Sequence, residues 1–479
     1  MMPRPGRVVA RAFSVLLLAA VSALVSCRDV GKDSPHLWPE GNADDIEALS
    51  TRDDVNVLLI LVDTLRADRL SAYGYERATS PVLANLSRMG VRFDRHLSQS
   101  SWTKASMASM WTSYIPPRTG VVEYDDVVPD AAPMPAEILS EHGFRTIGLY
   151  RNGWVEPKFG FGQGFEVYTK PAGTSVDPAA FRENPTLLHT GTDEDLVESA
   201  LAFLRADGAN RWFLYLHFMD VHEYTYDEQS AVFGGSYSDM YDNSVLRTDT
   251  TIDQLLGGMM DMGLFKNTLI VIASDHGEAF RERGIEGHAR FVFKETTEVP
   301  LIVLFPFRLL EREAVVRART RNVDIWPTIY ELLGIDPPAD LDAADGVSLV
   351  PEILAAARGG SSPPEVLERQ GFAHLMHGWG RPDATDSTYA LASRDHRFVS
   401  YLGEGGARIE RLFDTGADPA ELRSVVAERP ELAAEMRERA DAMAKIDPVW
   451  GQPEEVLLKE LELRQLRALG YVLPGDDGR

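Results

Sequence analysis

The feature that most constrains this chain is a set of short runs that are apolar throughout. Val57-Leu58-Leu59-Ile60-Leu61-Val62 is uninterrupted and stops at Asp63. A strand with no polar face must be covered on both sides, the condition of a buried, mostly parallel sheet. Similar runs recur at Thr146 to Tyr150, Trp212 to Phe218, Thr268 to Ala273 and Pro300 to Phe305. Between them lie amphipathic helical stretches. Asp195 to Arg205 places Leu196, Ala200, Leu201 and Leu204 on one face, and Tyr241 to Met262 does so with Val245, Ile252, Leu255, Leu256 and Met259. Strands alternating with helices predict an α/β domain, a large mostly parallel sheet sandwiched by helices, over residues 55–355.

The segment from Pro351 to Pro364 is rich in Ala, Gly, Ser and Pro and marks a boundary. Beyond it, Tyr389 to Leu391, Arg397 to Leu402 and Ile409 to Phe413 read as short strands. A charged helix is expected from Ala420 to Ile446. This predicts a smaller C-terminal α+β subdomain over 365–446, followed by a tail over 447–479 with a helical stretch from Glu455 to Leu469.

At the other end, Arg4, Arg7 and Arg11 form a basic start, and Ala10 to Val25 is largely apolar, too short to span a bilayer comfortably and suited to a signal peptide. Leu24-Val25-Ser26-Cys27 resembles the bacterial lipobox, which implies cleavage after residue 26 and lipidation of Cys27. Cys27 is the only cysteine, so neither a disulfide nor thiolate chemistry is expected in the mature chain. Residues 27–54 read as a flexible tether from a membrane anchor to an exported globule in the cell envelope. A formal charge of -25 excludes nucleic acid as a partner and disfavours direct adhesion to anionic lipid.

Chemistry concentrates where strands end. Asp63 closes the first run, and Ser274-Asp275-His276-Gly277-Glu278 follows the run Thr268 to Ala273. In open parallel sheets, sites form beyond the carboxyl ends of strands, so acids far apart in sequence meet there. Carboxylates with an imidazole suit one divalent metal ion: Mn or Zn, or Ca or Mg where oxygen ligands dominate. Taken singly, an Asp after a strand serves equally as a helix cap. Likewise Ser101 to Met110 reads equally as a polar loop entering a core helix.

The ordered set of motifs goes further. Val62-Asp63-Thr64-Leu65-Arg66-Ala67-Asp68-Arg69-Leu70 with Tyr73-Gly74-Tyr75 resembles the opening signature of the sulfatase family, within the alkaline phosphatase superfamily. Trp102-Thr103 through Thr112 with Arg118-Thr119-Gly120-Val121 is similar to its nucleophile segment. Gly160 to Phe165, His217 through His222, Ser274 to Glu278, Gly287-His288 and Val299 to Val303 follow in the family's order. So do Asp324 with Pro327-Thr328, Asp345 to Leu349, and finally Glu410 to Asp414 with Asp418-Pro419. Many matches in one order are more specific than any one motif. The resemblance implies an alkaline phosphatase/sulfatase-like fold. It implies Asp63, Asp275 and His276 as metal ligands, with Thr103 as both nucleophile and inner ligand. It also implies that His222 and His288 serve the leaving group and developing charge, and that Lys294 contacts a substrate anion.

Departures refine the expectation. Sulfatases of the Cys/Ser-x-Pro-x-Arg type convert the first residue to formylglycine, whereas this chain has Thr103, Ala105 and Met107 at those places. Threonine yields no aldehyde, so no formylglycine is expected. The tandem aspartate of the first motif is single, with Thr64 second. The set is more similar to phosphoethanolamine transferases and lipoteichoic acid synthases, which form a phosphothreonine beside one metal. The expected function is cleavage of sulfate or phosphate esters, with phosphate mono- and diesters favoured, on small-molecule, glycan or lipid substrates through a covalent intermediate. The alternatives are a phosphoryl-group transferase and a pseudoenzyme lipoprotein that binds an envelope glycan or partner.

Overall fold

The structure is a computed structural model and describes residues 38–171, 191–310, 312–362, 366, 368–376, 387–403 and 406–458. Its main sheet has eight strands: β1 (Asn56–Val62), β2 (Val91–Leu97), β3 (Arg145–Tyr150), β4 (Val167–Thr169), β5 (Trp212–Phe218), β6 (Thr268–Ala273), β7 (Leu301–Leu304) and β8 (Ala314–Arg321). Their order across the sheet is β8-β2-β7-β6-β1-β5-β3-β4. Every pairing is parallel except those of β7, which runs antiparallel to both β2 and β6.

The apolar run of β1 sits in the middle and explains the layering. Val57, Leu59 and Leu61 join one core, while Leu58, Ile60 and Val62 join the other. Helices α1 (Pro81–Ser87), α3 (Asp193–Asp207) and α4 (Tyr237–Asp261) cover the second face. Helices α2 (Thr103–Thr112), α5 (Ile325–Leu333) and α6 (Val350–Ala357) cover the first. Every residue of α2 is buried, as expected of a helix inside a core rather than on a surface. Trp111 anchors it, stacked on Trp326 at 5.4 Å and edge-on to Tyr215 at 5.0 Å.

The C-terminal unit is an antiparallel sheet of β9 (Gly371–Leu375), β10 (Thr388–Ser393), β11 (His396–Leu402) and β12 (Arg408–Asp414), backed by α7 (Pro430–Ala444). The fold class expected from the sequence is therefore observed.

Several boundaries differ from expectation. The second half of the expected tether is folded: Trp38, Ile46 and Leu49 are buried, Glu40–Gly41 pairs with Arg308–Leu309, and Asn42 caps a helix over Ala43–Ala48. Its apolar residues are too sparse to show periodicity, yet they fill gaps in the two cores. The last helix begins at Pro430 rather than Ala420, because Pro430 takes the first helical position, where its missing N–H costs nothing. Where described, the tail is not helical: it turns at Pro448, whose carbonyl accepts from Gly451 N–H at 3.3 Å, Val449 N–H donates to Arg118 O at 2.8 Å, and Glu455 bridges Asp126. The remainder of the expected tail helix, the leader and Cys27 lie outside the described residues.

One packing contact carries a pH dependence. Asp249 of α4 accepts from Val82 N–H and Leu83 N–H, both at 2.9 Å, at the start of α1. Burial pushes its carboxyl up to about 7. An acid raised on folding contributes stability that is complete below its unfolded pKa near 4 and lost as pH rises through 7. Asp249→Asn should therefore flatten the fall in stability between about pH 4 and pH 7, measured by urea unfolding across that range.

Candidate active site

The sheet order places four strand ends side by side. In register, Leu61 of β1 lies between Ala273 of β6 and His217 of β5, and His217 lies beside Tyr150 of β3. The residues just beyond these ends, Asp275, Asp63 and Asn152, therefore emerge at one carboxyl edge together with His217. The segment leaving β2 enters the same edge and begins α2 with Thr103 at its first turn. All five side chains are buried.

Thr103 Oγ1 lies 3.1 Å from His276 Nε2. His276 Nδ1 donates to Gly277 O at 3.0 Å, which fixes the tautomer and turns the Nε2 lone pair toward the cluster. From His276 Nε2, Asp275 Oδ2 is 3.5 Å away and Asp63 Oδ1 is 3.8 Å away. Those two carboxylate oxygens have no hydrogen-bond partner although both are buried. Their other oxygens are engaged. Asp63 Oδ2 accepts from Asn152 Nδ2 at 2.6 Å and His217 Nε2 at 3.0 Å. Asp275 Oδ1 accepts from His276 N–H at 2.9 Å and Thr64 N–H at 3.2 Å.

The electrostatics match this division. Burial alone would raise the Asp63 carboxyl, but the charges of His222, His276 and His217, with the His217 hydrogen bond, outweigh it and hold Asp63 low. Burial and the adjacent Asp63 charge push Asp275 up. Two unpartnered, converging carboxylate oxygens and an imidazole lone pair form a donor set that suits a divalent cation. By proximity alone Asp63, His217 and Asp275 also form a possible ligand group, with one atom each within 4.8 Å of one another. The hydrogen bonds favour His276 over His217. Both ring nitrogens of His217 are engaged, Nδ1 by Tyr215 OH at 2.6 Å and Nε2 by Asp63, so His217 orients Asp63 and has no lone pair to spare for a cation.

His222 and His288 complete the pocket. The His288 ring stacks on His276 at 4.6 Å and lies 5.0 Å from His222. Both nitrogens of His222 are buried without a partner. His288 Nδ1 contacts Glu278 Oε2 at 3.1 Å, and burial pushes that carboxyl up to about 7. Arg66 holds the Glu278 segment from behind, donating to Glu278 O at 2.8 Å. Thr64 adopts φ 58, a strained conformation for a β-branched residue, at the turn that aims Asp63.

Lys294 is not brought to this cluster. Its ammonium donates to Pro419 O at 2.6 Å and faces Glu298 at 3.7 Å, in the seam with the small sheet. It opens a short helix, Lys294–Thr297, that Glu298 and β11 hold against the C-terminal unit. The site also includes two residues without assigned roles in the sequence reading, His217 and Asn152. Asn152 bridges Asp63 Oδ2 and Thr103 Oγ1, the latter at 3.3 Å. Its neighbour Arg151 fixes that loop through Asp193 and Asp220, each at 2.6 Å. Asn152→Ala should lower turnover by about 10- to 100-fold, with folding intact by circular dichroism.

Comparison with known proteins agrees with this architecture. A family model described as Sulfatase matches residues 55–335, and one described as N-sulphoglucosamine sulphohydrolase, C-terminal, matches residues 287–445. Arylsulfatase K of Xenopus laevis is 29% identical over 192 residues, 39% of this chain and 33% of that protein, so the alignment spans about a third of its length. Steryl-sulfatase of Mus musculus is 24% identical over 513 residues, 81% of each chain. The crystal structure of the phosphonate monoester hydrolase of Agrobacterium radiobacter superposes with a TM-score of 0.64 at 19% identity, covering 81% of this chain and 95% of that one. That likeness shows a shared fold. With the first family match extending over more than half of its residues, the chain belongs to the sulfatase family.

Proposed function

We propose that this chain is a metal-dependent ester hydrolase that uses Thr103 as nucleophile, cleaving phosphate mono- or diesters in preference to sulfate esters. The observation that carries this reading is the placement of Thr103 Oγ1 3.1 Å from His276 Nε2, beside the unpartnered oxygens of Asp63 and Asp275. Asp63, Asp275, His276 and Thr103 would hold the cation. Bound there, a divalent ion supplies positive charge that eases deprotonation of a hydroxyl and neutralises non-bridging oxygens.

The chain's own residues divide the remaining work. Thr103 Oγ attacks phosphorus as the bond to the leaving oxygen breaks, giving a phosphothreonine. The amino end of α2 points its free N–H groups toward the developing charge. Asn152 orients both Thr103 and Asp63. His222 or His288 gives a proton to the leaving oxygen, with Glu278 positioning His288. Water then attacks the phosphothreonine, releasing phosphate or a phosphomonoester and restoring the hydroxyl. Threonine favours this route over sulfatase chemistry, because it lacks the geminal hydroxyl through which formylglycine expels sulfate.

The test is turnover of aryl sulfate, phosphate monoester, phosphodiester and phosphonate monoester by the purified protein. Phosphoester cleavage that requires Thr103 supports the reading, and sulfate ester cleavage alone contradicts its substrate preference. The proposal includes export and lipid anchoring at Cys27. Replacement of Cys27 by serine should shift the protein out of the membrane fraction, and retention there would refute the anchor.

A further inference from the structure

A second charged cavity, of about 300 Å³, lies between the edge of the main sheet and the small C-terminal sheet. Four cations line it: Arg95, Lys294, Arg319 and Arg397. The acids on its wall are Glu298 and Asp395. In a chain of formal charge -25, a cavity with more cations than acids runs against the average.

Arg319 is the anomaly. It is buried at 6% exposure, and among the described residues its guanidinium makes no ion pair. Among the described residues it donates to main-chain carbonyls alone, Arg394 O at 2.8 Å and Arg369 O at 3.4 Å. Its direct cross-strand neighbour is Arg95, so two like charges stand opposite one another in β8 and β2. Burial, with the charges of Arg95 and Arg397, pushes Arg319 down to about 9.

The neighbouring cations are mostly satisfied. Arg397 is held by Glu421 at 2.8 Å and Glu298 at 2.7 Å, and Lys294 by Pro419 O. Arg95 meets Asp395 at 3.2 Å, where Asp395 is largely solvent-exposed. A buried guanidinium without a counter-charge is costly, and a like-charged neighbour adds to the cost. A tetrahedral oxyanion removes both penalties and matches the planar, multiply donating guanidinium.

We propose that this seam binds a sulfate or phosphate group between Arg319 and Arg95. The group is a free ion or the pendant substituent of a sugar, for which a cavity of this size has room. The site is separate from the Thr103 cluster: none of its four cations hydrogen-bonds Asp63, Thr103, Asp275 or His276. Bound there, the anion ties the C-terminal unit to the catalytic domain.

The experiment is thermal unfolding of the full-length protein during titration with inorganic sulfate, chloride being replaced at constant ionic strength. The expected result is a saturable rise in midpoint on the order of 2 °C or more. It should disappear in Arg319→Gln and persist in Asp275→Asn, which alters only the catalytic cluster. Arg95→Gln, at a half-exposed position that tolerates change, should shift saturation to several-fold higher sulfate and serves if Arg319→Gln does not fold. A monosaccharide sulfate saturating at lower concentration than inorganic sulfate identifies a pendant group, and the reverse order identifies the free ion. The proposal is overturned by a rise without saturation that Arg319→Gln or Arg95→Gln shares, by no rise, or by a response lost in Asp275→Asn and kept in the arginine variants.

Discussion

Alanine at position 103 is expected to lower turnover by about 10⁴- to 10⁶-fold. The side chain lost is small, and α2 is held by Trp111 against Trp326 and Tyr215, so the fold should survive. What disappears is the oxygen placed 3.1 Å from His276 Nε2 at the start of that helix. Thr103→Ser separates chemistry from packing, since it keeps the oxygen and removes only the methyl group. Substantial activity in serine and none in alanine is the expected pair of results, read as kcat on whichever ester the wild type cleaves. Equal loss in both would point to packing instead.

Neutralising Asp63 or Asp275 should lower turnover less steeply than losing Thr103 does, and its effect on stability should depend on metal. Asp63→Asn and Asp275→Asn each remove one carboxylate from a buried pair in which Asp275 is already pushed up by burial and by Asp63. Turnover should fall by about 10²- to 10³-fold or more, the share expected from a lost cation. In chelator, however, Asp275→Asn should be at least as stable as the wild type, because repulsion between two buried anions is gone. On addition of metal, only the wild type should gain thermal stability. Calorimetric melts with and without divalent ions check both signs. An Asp275→Asn protein that melts earlier in chelator and responds normally to metal would remove the shared-ion argument.

The central strands were legible because β1, β5 and β6 are covered on both faces and must be apolar throughout. Strands β2 and β8 were not. Val91–Leu97 and Ala314–Arg321 carry Asp94, Arg95, Arg317 and Arg319, charges that belong to the sheet edge and the seam beyond it. A periodicity search penalises those residues, although β8 is the edge strand and β2 pairs with β7 only at Val91 and Arg92, leaving its charged half outside that pairing. The helix ending the C-terminal unit was expected too early because Ala420 to Arg429 is charged like a helix surface, whereas Pro430 sets its start.

At the site, Asp63, Asp275 and His276 follow apolar runs, so their strand-end positions could be read directly. Assigning Thr103 depended on the resemblance, since a hydroxyl opening a buried helix carries no mark of its own. Asn152 and the role of His217 escaped because their task is to hold Asp63 Oδ2. That contact arises only when β3 and β5 lie beside β1. Lys294 has the right charge and the right neighbourhood in sequence, but Glu298 and the C-terminal unit draw its amine into the seam.

The most direct measurement is mass analysis of the peptide containing Thr103 from protein acid-quenched during turnover of a phosphodiester with metal present. A phosphoryl adduct on Thr103 that accumulates during turnover and vanishes in Thr103→Ala is the result this account requires. An unmodified Thr103 while turnover continues, or an adduct on another residue, would contradict it.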